Sequence, residues 1–248
     1  MKKKILSFAA ATLLILLFWQ IASSLLQKPF LPGIAVSVKA LIRDSLSGTL
    51  PRHFAVSFYR VALALLFSVV LAVPLGLAMG QHPGLDRFFA PGMYLLYPLP
   101  KVVFLPIIVT LFGLGNFPKV LLITLILFFQ LLVVTRDASR QIRGEYLLSA
   151  RSLGMSRPQL WQHVLIPACL PQILTALRVG VGTGIAILFF AETFASLNGL
   201  GYYISDAMSR RSYDAMFAGI IAMALLGLLF YAIFRLLEDR VSRWNTTP

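Results

Sequence analysis

Long apolar runs separated by short polar stretches set the pattern of this chain. The first runs from Ile5 to about Leu26, close to the ~20 apolar residues that cross a bilayer as a helix. Others follow at residues 61–80, 88–115, 118–135, 168–190 and 215–237. The pattern predicts an all-α polytopic membrane protein with about six transmembrane helices. Residues 88–115 break the rule of a plain span. They carry Pro91, Pro98, Pro100 and Pro106, with Lys101 near the middle, so a continuous helix is not expected there. Pro74 and Gly76 predict a kink in the second span, and His82-Pro83-Gly84 a turn after it.

The polar stretches are uneven. Residues 28–60 hold Pro29, Pro32 and Pro51, and Ile34, Val38, Leu41 and Ile42 recur at helical spacing. That segment either lies along the membrane surface or packs on the bundle as a short helix. Residues 191–214 read as a polar outer loop, and residues 238–248 as a short basic tail. The long late interruption, residues 136–166, carries Arg136, Arg140, Arg143, Arg151 and Arg157. Within it, residues 141–152 read as a helix with Leu147, Leu148 and Ala150 on or near its apolar side. Gly154 permits a backbone conformation that a Cβ would resist. Ser156 and Gln159 have capping-box spacing, with Pro158 in the first turn of the next helix. A second short helix passes through Trp161 and His163, and Pro167 and Pro171 break it from the following span. The result is a helix–turn–helix elbow, an ordered insert of the kind that docks a soluble partner. A bulky residue at Gly154 is expected to overfill it.

Composition sharpens this picture. The 248 residues are 58% hydrophobic, with mean hydropathy +0.84, against about 45–50% apolar for a soluble domain. The expected organisation is one membrane domain over residues 1–248. Residues 1–60 form an N-terminal span and amphipathic segment, and residues 61–240 form a core carrying the loop at 136–167. The net charge of +13 is read as membrane orientation rather than nucleic-acid binding, because the basic residues cluster between spans. Six spans with Lys2–Lys4 in the cytoplasm put both termini there. The basic start and the small residues Ala22–Ser24 also have the form of a signal peptide. The apolar run exceeds the ~7–15 residues of such a segment, so a retained helix is expected. The lone Cys169 excludes an internal disulfide or a cysteine zinc cluster. His53, His82 and His163 lie too far apart in sequence to support a metal site.

A few residues invite chemistry. Lys101 is a charge in apolar sequence: it lines a pathway and attracts an anion, or it snorkels to an interface. Glu192 lines the pathway or serves as a structural cap. Arg178 and Glu192 are too far apart along one helix to pair within it, and Arg178 reads as a snorkelling arginine. Gly180, Gly182 and Gly184 line a subunit interface or pathway, or simply pack. Asn198-Gly199-Leu200-Gly201 is a turn signal. Trp161 and Trp244 read as interface anchors, and His163 is assigned no chemistry.

The elbow resembles the EAA loop of the inner-membrane subunits of bacterial ABC importers. That pattern is Glu-Ala-Ala, three residues, Gly, nine residues, then Ile-x-Leu-Pro. Here the positions are Leu148-Ser149-Ala150, Gly154 and Val164-Leu165-Ile166-Pro167. The second Ala, the Gly and the Pro match. Leu148 replaces the Glu, removing one charge contact with the ATPase, and Ser149 replaces the first Ala. Pro98-Leu99-Pro100-Lys101, Phe112-Gly113-Leu114-Gly115, Pro118-Lys119, Ala191-Glu192 and Gly199-Leu200-Gly201-Tyr202 are similar to the nitrate/sulfonate/taurine branch. So is the charged end of the last span, Leu236-Leu237-Glu238-Asp239-Arg240.

The resemblance implies a permease in the bacterial inner membrane without catalysis of its own. Two copies form a homodimer or pair with a similar permease. Two ATPase subunits, using ATP and Mg, dock at Leu148, Ser149, Ala150, Arg151, Gly154, Met155 and Pro167. A solute-binding protein delivers a small solute: an anion such as a sulfonate or nitrate, or a thiamine-precursor-type compound. Lys101, Glu192 and Gly182 are the pathway candidates. A stand-alone secondary transporter is the alternative. It needs coupling-ion carboxylates within spans, where this chain offers only Glu192 at an edge.

Overall fold

A computed structural model describes the backbone of residues 2–194 and 196–241, with side chains from Ala10 onward. The described chain is helical and contains no strand. In order it forms α1 (Lys2–Leu26), α2 (Ile34–Leu46), α3 (Thr49–Gln81), α4 (Pro83–Leu96), a 3₁₀ turn (Lys101–Phe104), α5 (Leu105–Phe112) and α6 (Asn116–Arg140). Then come α7 (Gly144–Ser152), α8 (Arg157–Leu160), a π-helical turn (Trp161–Leu165), α9 (Ile166–Phe194), α10 (Leu200–Ser209) and α11 (Tyr213–Val241). Four stretches are long and apolar enough to cross a bilayer: α3, α6, α11 and the run Arg157–Phe194. A fifth candidate is the bent pair Pro83–Leu96 and Lys101–Phe112, turned by 82° at its break. The described apolar part of α1, Ala10–Leu26, is shorter than these, so four to five described stretches answer the expected six.

The proline-rich segment breaks where the sequence says it should. Pro98 and Pro100 lie in the gap between α4 and the 3₁₀ turn, where neither has an N–H to continue the helical hydrogen bonding. Elsewhere the helices outrun the sequence reading. α3 begins at Thr49, because Gly48 (φ +80°) reverses the chain and Pro51 sits in the first turn, where its missing N–H is not needed. It runs unbroken through Pro74. α6 continues past Thr135 to Arg140. The expected outer loop contains α10, whose Leu200, Tyr203, Ile204 and Ala207 are buried at helical spacing.

The chain divides into two compact units. One comprises Met1–Ser57 with Glu192–Leu225; the other, Phe58–Ala191 with Leu226–Pro248. In the first, α2 is tied to α1. The Trp19 indole N–H donates to the Pro32 carbonyl (3.0 Å), the Ser23 hydroxyl to that of Leu31 (2.9 Å), and the Ile34 N–H to Gln20 Oε1 (3.2 Å). α2 thus packs through Ser37 and Ala40 while Val36 and Ile42 stay exposed. Tyr203 of α10 donates to Asp44. Arg43 beside Asp44 holds that carboxyl below its usual range.

In the second unit α6 is the central helix, burying Leu122, Ile123, Leu127, Leu131 and Leu132. Its close approach to α3 depends on glycine. A Cβ on Gly76 would lie 2.8 Å from Thr135 Cβ, and one on Gly80 would lie 2.4 Å from Ser139 Cβ. Gly76 therefore serves close helix contact rather than a kink. Gln81 Nε2 donates to the Ser139 carbonyl (2.7 Å) and the Ser139 hydroxyl to that of Leu77 (3.1 Å), bonds available only at this short separation.

Candidate functional site

The elbow is built from two end signals that meet at Gly154. α7 starts at Gly144, later than the expected 141, because α6 ends at Arg140 with Gln141 as its C-cap. At the other end α7 closes in a Schellman motif. The Met155 N–H bonds the Ala150 carbonyl at 3.2 Å and the Gly154 N–H that of Arg151 at 2.9 Å, with Gly154 at φ +79°. Two residues on, α8 is capped in turn: Gln159 Oε1 accepts from the Ser156 backbone N–H (2.8 Å) and hydroxyl (2.9 Å). Ala150 and Leu160 are buried, whereas Ser149, Arg151 and Gly154 are exposed and Met155 is half-buried. Around Gly154 no atom lies within 4 Å of where a Cβ would be. The position is open, not tight, and glycine is required by the backbone alone.

The elbow exposes large apolar side chains among its polar ones. Leu148 is 65% exposed, Leu153 80% and Tyr146 59%. Arg151 and Arg157 flank a cleft of about 120 Å³ whose floor includes Leu160, Trp161 and Leu165. Beyond the cleft the helix does not break. A π-helical turn, Trp161–Leu165, leads directly into α9. Pro167 falls in the first turn of α9, where its missing N–H costs little, and Pro171 lies within it. Trp161 and Pro167 are half-buried and His163 is exposed.

Arg136, expected in the loop, is instead buried at the end of α6. It forms a two-pronged ion pair with Asp86 of α4. Nε meets Oδ1, and Nη2 lies 2.8 Å from Oδ2. Nη1 reaches the Tyr94 hydroxyl at 2.9 Å, and Arg140 Nη1 lies 3.2 Å from the same Asp86 Oδ2. This pairing joins positions fifty residues apart and leaves no local sequence signal. Arg178 sits beside Glu238 of α11, 3.0 Å from Nε to Oε2, at an angle too poor for a hydrogen bond. The Thr175 hydroxyl also donates to Glu238. Trp244 and the rest of the basic tail beyond Val241 lie outside the described residues.

The pathway candidates occupy different settings. Glu192 is wholly buried. The Ser57 hydroxyl lies 2.8 and 2.9 Å from its two carboxylate oxygens and accepts the Leu200 N–H at 2.8 Å. Glu192 Oε2 accepts the Gly201 N–H at 2.8 Å, and His53 Nδ1 accepts that of Gly199 at 3.0 Å. Together they satisfy the free N–H groups that open α10, where a negative charge is also favoured by the helix dipole. Gly199, at φ +105°, leaves room for the carboxyl, since a Cβ there would lie 2.3 Å from it. Ser57 and His53 are the residues the sequence reading missed; their spacing, one turn apart on α3, is the available signal.

Lys101 is 8% exposed. It lines a cleft of about 460 Å³ within the second unit, together with Gln130 and Thr183. On α9, Gly180 and Gly184 face Leu127 of α6, while Gly182 is exposed with nothing near it. Gly182 does not line the cleft at Lys101, and Glu192 belongs to the other unit. No group of three or more His, Cys, Asp or Glu suited to a metal occurs among the described residues.

A family model described as "Binding-protein-dependent transport system inner membrane component" matches residues 72–243. The taurine transport system permease protein TauC of Escherichia coli (strain K12) is 32% identical over 246 residues, 97% of this chain and 90% of its own. A Bacillus subtilis (strain 168) protein provisionally named aliphatic sulfonates transport permease protein SsuC is 32% identical over 238 residues, 94% of this chain and 85% of its own. The formylaminopyrimidine transport permease protein ThiX of Halalkalibacterium halodurans is 25% identical over 233 residues, 94% of this chain and 93% of its own. Among solved structures, a chain of the inward-facing MetNI methionine ABC transporter superposes with TM-score 0.68 at 16% identity. The match covers 81% of this chain and 99% of that one, and shows a shared fold.

Proposed function

The chain belongs to the family of binding-protein-dependent transport system inner membrane components, as a multi-pass ABC-importer permease, and on that premise we propose how it works. Two copies of this chain form the transport pathway. Two separate ATPase subunits, which use ATP and Mg²⁺, dock at the two elbows. Both termini and the elbow face the cytoplasm of a bacterial cell. A solute-binding protein on the other side delivers a small solute: a sulfonate, nitrate or similar anion, or a thiamine-precursor-type compound. Relatives named for taurine and formylaminopyrimidine transport support that range.

The observation that carries this reading is the exposed apolar tip of the elbow, Tyr146, Leu148 and Leu153, fixed by a Schellman motif on one side and a capping box on the other. Large apolar side chains held on an ordered loop between spans support a docking role there. A partner seated there would move the helix that follows, because α8, the π-helical turn and α9 form one continuous run. Nucleotide would shift the two states of the permease through the partner's differential affinity for them.

Mild-detergent co-purification from native membranes tests this. A soluble ATPase is expected with the wild-type chain, and Leu148→Asp is expected to lose it while still inserting in the membrane. Recovery of the wild-type chain alone, repeated under crosslinking, would overturn the importer mechanism.

A further inference from the structure

Lys101 is a buried cation with no carboxylate partner among the described residues. Its ammonium donates to the carbonyls of Tyr97 (2.9 Å) and Leu99 (3.4 Å), both exposed by the break after α4. One of its three protons remains unspent. Phe129 lies 4.7 Å away, ring face toward the charge. These contacts ease the charge without neutralising it. An ion held in apolar surroundings without a counter-ion is costly and marks a place where one is supplied.

The cleft beside it is suited to supply one. Its volume of about 460 Å³ falls within the ~300–1,000 Å³ of small-molecule sites. Two further donors line it, the Gln130 amide and the Thr183 hydroxyl. Neither has a hydrogen-bond partner within the described chain. The rest of the wall is apolar, with Ile126 and Ile187 alongside Phe129. One cation and two idle donors set against an aliphatic wall match an oxyanion head on a short hydrocarbon body.

We infer that this cleft is a solute subsite within the permease itself, where Lys101, Gln130 and Thr183 hold an oxyanion and Ile126 and Ile187 take a short aliphatic tail. The inference rests on the permease reading but adds that this chain, and not the binding protein alone, reads the charge of the cargo. A broken span is where such a subsite belongs, because its freed carbonyls fix the lysine from behind.

Saturation-transfer NMR on the full purified chain in an uncharged maltoside, with ethanesulfonate as probe, tests the subsite. Transfer to the ethyl protons is expected in the wild type, with none to ethanol under the same conditions. Loss of a charge-assisted hydrogen bond should weaken ethanesulfonate at least about tenfold in Lys101→Met, with partial recovery in Lys101→Arg. Three results would overturn the inference: no transfer in the wild type, equal transfer in Lys101→Met, or equal transfer to ethanol. Displacement by phosphatidylglycerol would reassign the cleft to a lipid headgroup and overturn it too. The ATPase co-purification is run on the same variants. Lys101→Met that retains the ATPase but loses the probe supports the subsite. A wild type that retains the ATPase but shows no transfer fails the subsite alone, and one that binds the probe without ever recovering an ATPase fails the importer reading alone.

Discussion

Two glycines carry opposite burdens. Gly154 has free space around it but a positive φ, so any substitution pays in backbone strain alone. Gly154→Val is expected to destabilise the turn by about 1–2 kcal/mol, with Gly154→Asn milder because Asn visits the left-handed region. ATPase recovery should follow the same order, measured side by side on purified chains. Gly199 has both a positive φ and a carboxyl where a Cβ would go. Gly199→Ala is therefore expected to cost about 2–4 kcal/mol, read as a lower unfolding temperature in detergent. An unchanged unfolding temperature would mean that Glu192 does not hold the start of α10 as described. Sequence alone found the need for glycine at 154, since a helix end, a capping serine and a proline surround it. It gave the Asn198–Gly201 turn no such weight. The reason Gly199 matters lies in Glu192 and Ser57, which only the folded chain brings to it.

At the level of helices, legibility follows distance in sequence. The break after α4 was written in Pro98 and Pro100, and the elbow's halves in their own end signals. The period of α10, at residues 200, 203, 204 and 207, was present but masked by its polar neighbours. The tie between α4 and α6 was not legible, because Asp86 and Arg136 each look like ordinary loop charges until the helices meet. Removing one partner leaves Asp86 only the more exposed Arg140, or Arg136 only the exposed Asp137. Arg136→Met or Asp86→Leu alone is expected to cost about 3 kcal/mol, while the two changes together should cost less than their sum. Unfolding midpoints of the three variants check this, and strict additivity would argue against a coupled pair. The contact of α3 with α6 sets a similar test. Gly80→Ala places a methyl against the Ser139 side chain and the Arg136 carbonyl, and is expected to lower the unfolding midpoint where Gly84→Ala, in open space, does not.

For the molecule as a transporter component, the exposed leucines of the elbow and the charged cleft at the broken span separate two jobs. In the mechanism we propose, one receives force and the other meets cargo. Leu148→Asp should therefore lower ATPase recovery severalfold while leaving ethanesulfonate contact at Lys101 intact. The helical run from the elbow into α9 carries one more feature with a consequence of its own. Its π-helical turn, Trp161–Leu165, is what an α-helix becomes when it accommodates one extra residue without rotating its flanks. Deleting a single residue within 161–165 would let the turn relax to an ordinary α-turn, with the faces before and after it still in phase. The same deletion further along α9 would swing every later side chain by about 100°. The chain thus has a place where its length can be edited during descent from a common ancestor, and the permease should insert and function with one residue fewer there and nowhere else in that helix.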